Sequence, residues 1–131
     1  IVFYKAALDV LGEELFNRIF PVIRLMNWQD IDSDLGIRYY RYAKDILPGD
    51  CVYFKNPDVD PLTPELQGEN AIDLGNGTFY GHGFGIMPAE GFIMELNRHR
   101  ITGSETSAYL MDGSTRPDFK HLASMSLSYA L

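Results

Sequence analysis

The chain has 131 residues, 46% hydrophobic, 13% aromatic and 22% charged, a balance that supplies one packed domain and excludes intrinsic disorder. Eleven Lys and Arg against eighteen Asp and Glu leave a formal net charge of -7, and no basic run is long enough to follow a phosphate backbone, so no nucleic-acid partner is expected. A single cysteine, Cys51, excludes an internal disulfide and a multi-cysteine zinc site, and no apolar run reaches the roughly 18 residues of a membrane span.

In chain order, Phe3, Ala7, Val10 and Leu11, then Leu15, Phe16, Ile19 and Phe20, repeat at the spacing of a helix with one buried face. Gly12 followed by Glu13 and Glu14 marks a stop and a restart, because acids favour a new helix N-terminus, and Pro21 closes the second segment. Ile1 opens inside this apolar pattern with no methionine or cap residue before it, which reads as a fragment of something longer. Residues 22–28, VIRLMNW, read as a strand, and 29–38 as a polar loop. Pro48 and Gly49 turn the chain into a half-buried strand through Val52, Tyr53 and Phe54. Residues 56–69 hold three prolines and read as a long irregular loop, the kind that is often functional. Residues 88–103 read as a helix capped by Gly103, 106–112 as a strand, and the serine-rich tail from Ser124 as a fraying end. The class is α+β, a small antiparallel sheet with helices segregated along the chain.

Residues 66–86, LQGENAIDLGNGTFYGHGFGI, carry the chemistry. Asn76-Gly77 between two β-like runs predicts a two-residue type I′ hairpin, a turn that needs positive φ at both positions. That register sets Ala71 opposite His82 and Leu74 opposite Phe79. Alternation then places Ile72, Leu74 and Phe79 on one face, and Glu69, Ala71, Asp73, Tyr80 and His82 on the other. Glu69 and His82 become diagonal neighbours about 7 to 8 Å apart at Cβ, an acid and an imidazole over the small floor of Ala71. Glycines 81, 83 and 85 let another element approach closely. Each residue also has an ordinary role: a strand histidine between glycines is more often structural, and an acid at a strand entry more often solvated. Cys51, just before Val52, reads as a small buried hydrophobe.

Other motifs fail. Residues 30–36, DIDSDLG, imitate a calcium loop, but the glycine falls one place late and the twelfth position is Arg41. The glycines match neither dinucleotide nor phosphate-loop spacing, and His82, His99 and His121 lack zinc-ligand spacing. No cofactor and no metal are expected.

Taken together, GDCVYFKNPDVDP, QGENAIDLG, FYGHGFGI and SAYLMDGSTRPD, with the helical opening ALDVLGEELFNRIF, resemble the small spore-coat transglutaminases of Bacillus-type spore formers, the protein-glutamine γ-glutamyltransferases. The resemblance runs from about residue 1 to 119 and corresponds to the C-terminal half of the family protein. It implies an NlpC/P60-like (papain-like) core, and calcium-independent joining of a glutamine carboxamide to a lysine amine through a cysteine thioester. By it, Glu69 is the catalytic glutamate and His82 stands where related cysteine enzymes keep their histidine. Trp28, Leu66, Asn70 and Tyr80 are implied to line the substrate tunnel, Leu66 standing where the family has a second tryptophan. The family nucleophile is a cysteine upstream of the position matching Ile1, and Cys51 matches a different cysteine, so residues 1–131 are implied to be the C-terminal part of a single transglutaminase domain and to be inactive alone. Spore-coat proteins bearing Gln and Lys are the implied partners, in the spore coat or the sporulating-cell cytoplasm, with no membrane and no calcium. A cell-wall amidase of the NlpC/P60 type and a catalytically dead module are the competing readings.

Overall fold

The computed structural model describes residues 1–25, 32–42 and 45–130. They form two compact units, residues 1–38 with 116–131, and residues 39–115.

The first unit is helical. Helix α1 (Val2–Leu11) stops at Gly12 and α2 (Glu13–Ile19) starts from it. Gly12 takes φ 78, a conformation a side chain disfavours, so one residue can end a helix and begin the next. Phe20 ends α2 at φ -116 and ψ 69, outside the helical region that a following Pro21 disfavours. The buried stripe is Tyr4, Ala7 and Leu11, joined by Phe16, Ile19, Phe20, Leu35 and Leu122. Val10, expected inside, is 53% exposed, because the stripe is set by Tyr4, whose ring meets Phe16 and Phe20 edge-on at 6.5 and 5.6 Å.

Two expectations here need correction. Residues 22–25 form no strand, and the rest of that proposed strand, with Trp28, lies outside the described residues. The tail does not fray from Ser124: α4 runs over Phe119–Ala130. Asp118 caps it, accepting the His121 N–H at 3.0 Å, while Arg38 holds the other carboxylate oxygen at 2.9 Å, and Leu122 is fully buried. Of the aspartates read as a failed calcium loop, Asp32 serves locally, accepting the Asp34 N–H at 2.9 Å before a 3₁₀ turn at Ser33–Leu35.

The second unit is built on a sheet of seven strands: β1 (Arg38–Arg41), β2 (Cys51–Lys55), β3 (Gly68–Asp73), β4 (Thr78–Gly81), β5 (Gly85–Pro88), β6 (Tyr109–Leu110) and β7 (Gly113–Arg116). Their order is β1-β7-β2-β3-β4-β5, with β6 also on β2. The pairings β2–β3, β3–β4 and β4–β5 are antiparallel. Helix α3 (Ala89–Asn97) covers one face, where Phe92 and Leu96 meet Val52, Phe54, Ala71 and Phe79. Phe92 is stacked between Phe54 at 4.6 Å and Phe84 at 5.5 Å.

Helix α3 is shorter than the 88–103 expected. Beyond Asn97 the His99 N–H turns to Leu96 O, and Arg100 bridges to Val59. The 106–112 strand shrinks to Tyr109–Leu110, because the Asn97 side chain captures the preceding backbone: its Oδ1 accepts the Ala108 N–H at 2.7 Å. The proline-rich loop is anchored as well. Asn56, 2% exposed, donates from Nδ2 to Leu66 O, Leu96 O and His99 O at 3.1, 3.1 and 3.3 Å. Its own N–H reaches Gln67 O at 2.8 Å. One amide thus fastens the 3₁₀ turn Pro64–Gln67, which feeds β3, to the end of α3.

The hairpin register differs from the expected one by a residue. Ala71 pairs with Gly81, Ile72 with Tyr80 and Asp73 with Phe79, and the Leu74 N–H bonds Thr78 O at 3.0 Å across the loop Gly75-Asn76-Gly77. Asn76 does not adopt the positive φ that a type I′ turn requires; Gly75 and Gly77 do, at 81° and 80°. Packing explains the choice. In this register Phe79 shares a face with Ala71 and meets Phe54 and Phe92, whereas the two-residue loop would have set His82 across from Ala71 in the layer under α3.

Candidate functional site: a half-buried glutamate beside a strand turn

Glu69 is the second residue of β3 and lies opposite Phe54 of β2. Alternation puts it on the α3 face with Ala71 and Asp73, and the β4 residues on that face are Phe79 and Gly81. Strand β4 ends at Gly81 and turns through 82–84 into β5, where the Phe84 N–H returns to Gly81 O at 3.2 Å. Glu69 therefore faces a place where β4 supplies no side chain. Its Oε1 lies 3.1 Å from the point where a Cβ on Gly81 would stand.

Burial pushes the Glu69 carboxyl above its ordinary range. His82, through its peptide N–H and its imidazole, pulls the other way, but less. The result is a carboxylate that holds a proton more readily than one in water.

His82 and Glu69 do come together, by a different route from the one expected. His82 is exposed and lies in the turn after β4 rather than diagonally across a ladder. Both its peptide N–H and its imidazole lower the Glu69 pKa. Tyr80 is 40% exposed and, opposite Ile72, belongs to the other face, so it does not join Glu69. Asn70 also faces that way, opposite Tyr53. There it lines a cleft of about 210 Å³ with Tyr39, Cys51, Tyr53, Met111 and Thr115, and its Oδ1 receives the Cys51 thiol at 3.9 Å. Leu66 packs against the α3-side core, one turn before Glu69. Asp73 spends its carboxylate on the Gly75 N–H at 2.6 Å. Of the proposed tunnel residues, Leu66 precedes Glu69 on its side of the sheet and Asn70 and Tyr80 occupy the opposite side.

Burial, then Asp50, then Glu69 push the Cys51 thiol up to about 11. Such a thiol is protonated at neutral pH and is a poor nucleophile. Among the described residues no group of His, Cys, Asp or Glu could hold a metal ion, and no helix is long and apolar enough to cross a membrane.

Sequence reasoning missed one residue beside this site and read another only in part. Phe92 forms the floor under Gly81, and its signal was the Phe92/Leu96 helical pair. Gly81 was recognised as a place of close approach, but the approaching groups, the Phe92 ring and the Glu69 carboxylate, depend on the register.

Comparison with known proteins bears on the same residues. The family model for protein-glutamine gamma-glutamyltransferase matches residues 1–126. The protein-glutamine gamma-glutamyltransferase of Bacillus mycoides (strain KBAB4) is 50% identical over 123 residues, 94% of this chain and 44% of its own length. That of Bacillus cereus (strain B4264) is 49% identical over 118 residues, 90% and 42% of the two chains. A solved structure, the transglutaminase from Geobacillus stearothermophilus without its C-terminal extension, is similar with a TM-score of 0.85 at 49% identity, covering 93% of this chain and 57% of that one. The chain thus spans less than half the length of these two curated relatives. With a family model across nearly all of its residues and the α+β fold of a solved bacterial transglutaminase, the chain belongs to the protein-glutamine gamma-glutamyltransferase family.

Proposed function

We propose that this chain supplies the base of a transglutaminase site, with Glu69 as that base and the nucleophilic cysteine carried outside residues 1–131. The observation that carries the reading is the half-buried Glu69 carboxyl with its raised pKa, beside Gly81 and His82, in a chain of this family. The single cysteine present is unsuited to attack, its thiol lying at about 11.

The chemistry follows. Glu69 takes the thiol proton, and the thiolate attacks the glutamine carboxamide carbon. The protonated glutamate returns that proton to the departing nitrogen, ammonia leaves, and a thioester remains. A lysine amine is almost wholly protonated near pH 7, so its ammonium first loses one proton to solvent; as the neutral amine attacks the thioester, Glu69 takes a second proton from the nitrogen and passes it to the departing thiolate, leaving the isopeptide bond and the free thiol. A carboxyl raised by burial serves both directions, because its pKa lies nearer the operating pH than a solvated one.

An NlpC/P60-like core, protein substrates bearing Gln and Lys, spore-coat proteins as those substrates, and action without calcium belong to the same proposal, supported by the resemblance of QGENAIDLG and FYGHGFGI. The test is incorporation of a fluorescent primary amine into a glutamine-bearing protein, without calcium, by the whole protein at the length of its relatives. Glu69→Gln is expected to lower incorporation by about 10² to 10⁴. His82→Ala is expected to have a far smaller effect, since alanine keeps the peptide N–H. Full activity of Glu69→Gln would sink the base assignment. Release of free glutamate without amine incorporation would favour the hydrolase, and neither activity the dead module.

A further inference from the structure

Gly81 is buried opposite Ala71, at the last position of β4. A Cβ built there would stand 2.5 Å from Phe92 Cε1, 3.0 Å from Phe92 Cζ and 3.1 Å from Glu69 Oε1. The backbone at Gly81 is not among the positive-φ glycines, so an alanine meets no conformational strain and contact is the whole obstacle. Phe92 has little freedom to move aside, being fully buried and stacked on Phe54 and Phe84. The methyl would therefore press on the carboxylate and shift it by a few tenths of an ångström towards water.

We propose that Gly81 is a positioning residue for the base: its missing side chain leaves the space beside the Phe92 ring in which the Glu69 carboxylate is seated next to His82. The proposal rests on the reading of Glu69 as base. The seat fixes where the proton is taken, and it keeps solvent from one side of the carboxylate, which sustains the effect of burial.

The test compares Gly81→Ala, Phe92→Leu, the double variant and Glu69→Gln in the whole protein, reading kcat/KM for amine incorporation, its pH profile and the melting temperature. Gly81→Ala should lower kcat/KM several-fold, short of the roughly 10²-fold of a full ångström's misplacement, and move the acid limb to lower pH as the carboxyl becomes better hydrated. Phe92→Leu removes the ring contact and leaves the contact with Glu69. The double variant should regain the melting temperature of Phe92→Leu alone while its kcat/KM stays low and its acid limb stays shifted. A double variant with the rate and pH profile of Phe92→Leu would overturn the proposal, leaving Gly81 as room for a ring. Wild-type values for Gly81→Ala would overturn it too, provided Glu69→Gln is inactive; an active Glu69→Gln instead overturns the base reading itself.

Discussion

The two faces of the sheet treat an ionisable group in the same way with opposite consequences. On the α3 face burial raises Glu69; on the other it raises Cys51, helped by Asp50 and Glu69. For a carboxylate, an upward shift brings the pKa towards neutrality and makes a stronger base. For a thiol, a shift to about 11 leaves roughly one molecule in ten thousand ionised at pH 7. Desolvation alone therefore makes neither a site nor an inert core; the acid–base character of the buried group decides which results.

The contrast can be broken most strongly at its floor. Phe92→Ala empties a fully buried aromatic position and should destabilise the fold by about 3 to 5 kcal/mol, measured by urea denaturation. It should also let water reach Glu69 and lower its pKa, and an unmoved pKa, followed by NMR titration, would show that the ring does not govern it. Asn56→Ala comes next. It leaves three carbonyls without their shared donor and should remove about 1 to 3 kcal/mol, with the last turn of α3 and the 3₁₀ turn before β3 losing protection together in hydrogen exchange. A loss confined to one of the two would deny that the amide couples them.

Two smaller effects sharpen the contrast. A raised carboxyl pKa means the folded state binds the proton more tightly than the unfolded chain. Glu69 thus contributes stability that is present below the ordinary carboxyl value of 4.5 and is lost as pH rises through the folded pKa. Glu69→Gln should therefore flatten the fall in stability across that window, and an unchanged pH dependence would contradict the shift. On the other face, Cys51→Ala should alter amine incorporation less than about twofold, and native Cys51 should react with iodoacetamide only slowly until the pH nears its raised value. Rapid alkylation at pH 7 would refute the protonated thiol.

Local signals were legible where neighbours in sequence settle the conformation. Gly12 between two apolar helical stripes, and the apolar Val52 and Phe54 after Pro48-Gly49, told of elements that are present, and Glu69 was singled out from GEN in its hairpin. What could not be read depended on distant partners. The hairpin register was chosen by Phe79 finding Phe54 and Phe92, a preference stronger than the pull of Asn76-Gly77 towards a two-residue turn. Helix α4 begins where Asp118 caps it and is held by Leu122 in a core contributed by α1 and α2, none of which the serines of the tail reveal. His82 shows both limits: its place next to Glu69 could be anticipated, but its position in a turn rather than on a strand could not, because that depends on where β4 ends.

The loop at 75–77 constrains how this segment can change over evolutionary time. Gly75 and Gly77 take φ 81° and 80°, and a Cβ on Gly75 would stand 2.6 Å from Pro48 Cγ, so of the three letters Asn76 alone escapes such a constraint. An in-frame loss of one codon has two outcomes, a two-residue loop that keeps Ala71 across from Gly81, or a slip that carries His82 to that place against Phe92. The β4–β5 pairing, with Tyr80 on Ile86 and Gly81 on Gly85, opposes the slip. Working members of this lineage should accordingly keep both glycines and vary the letter between them.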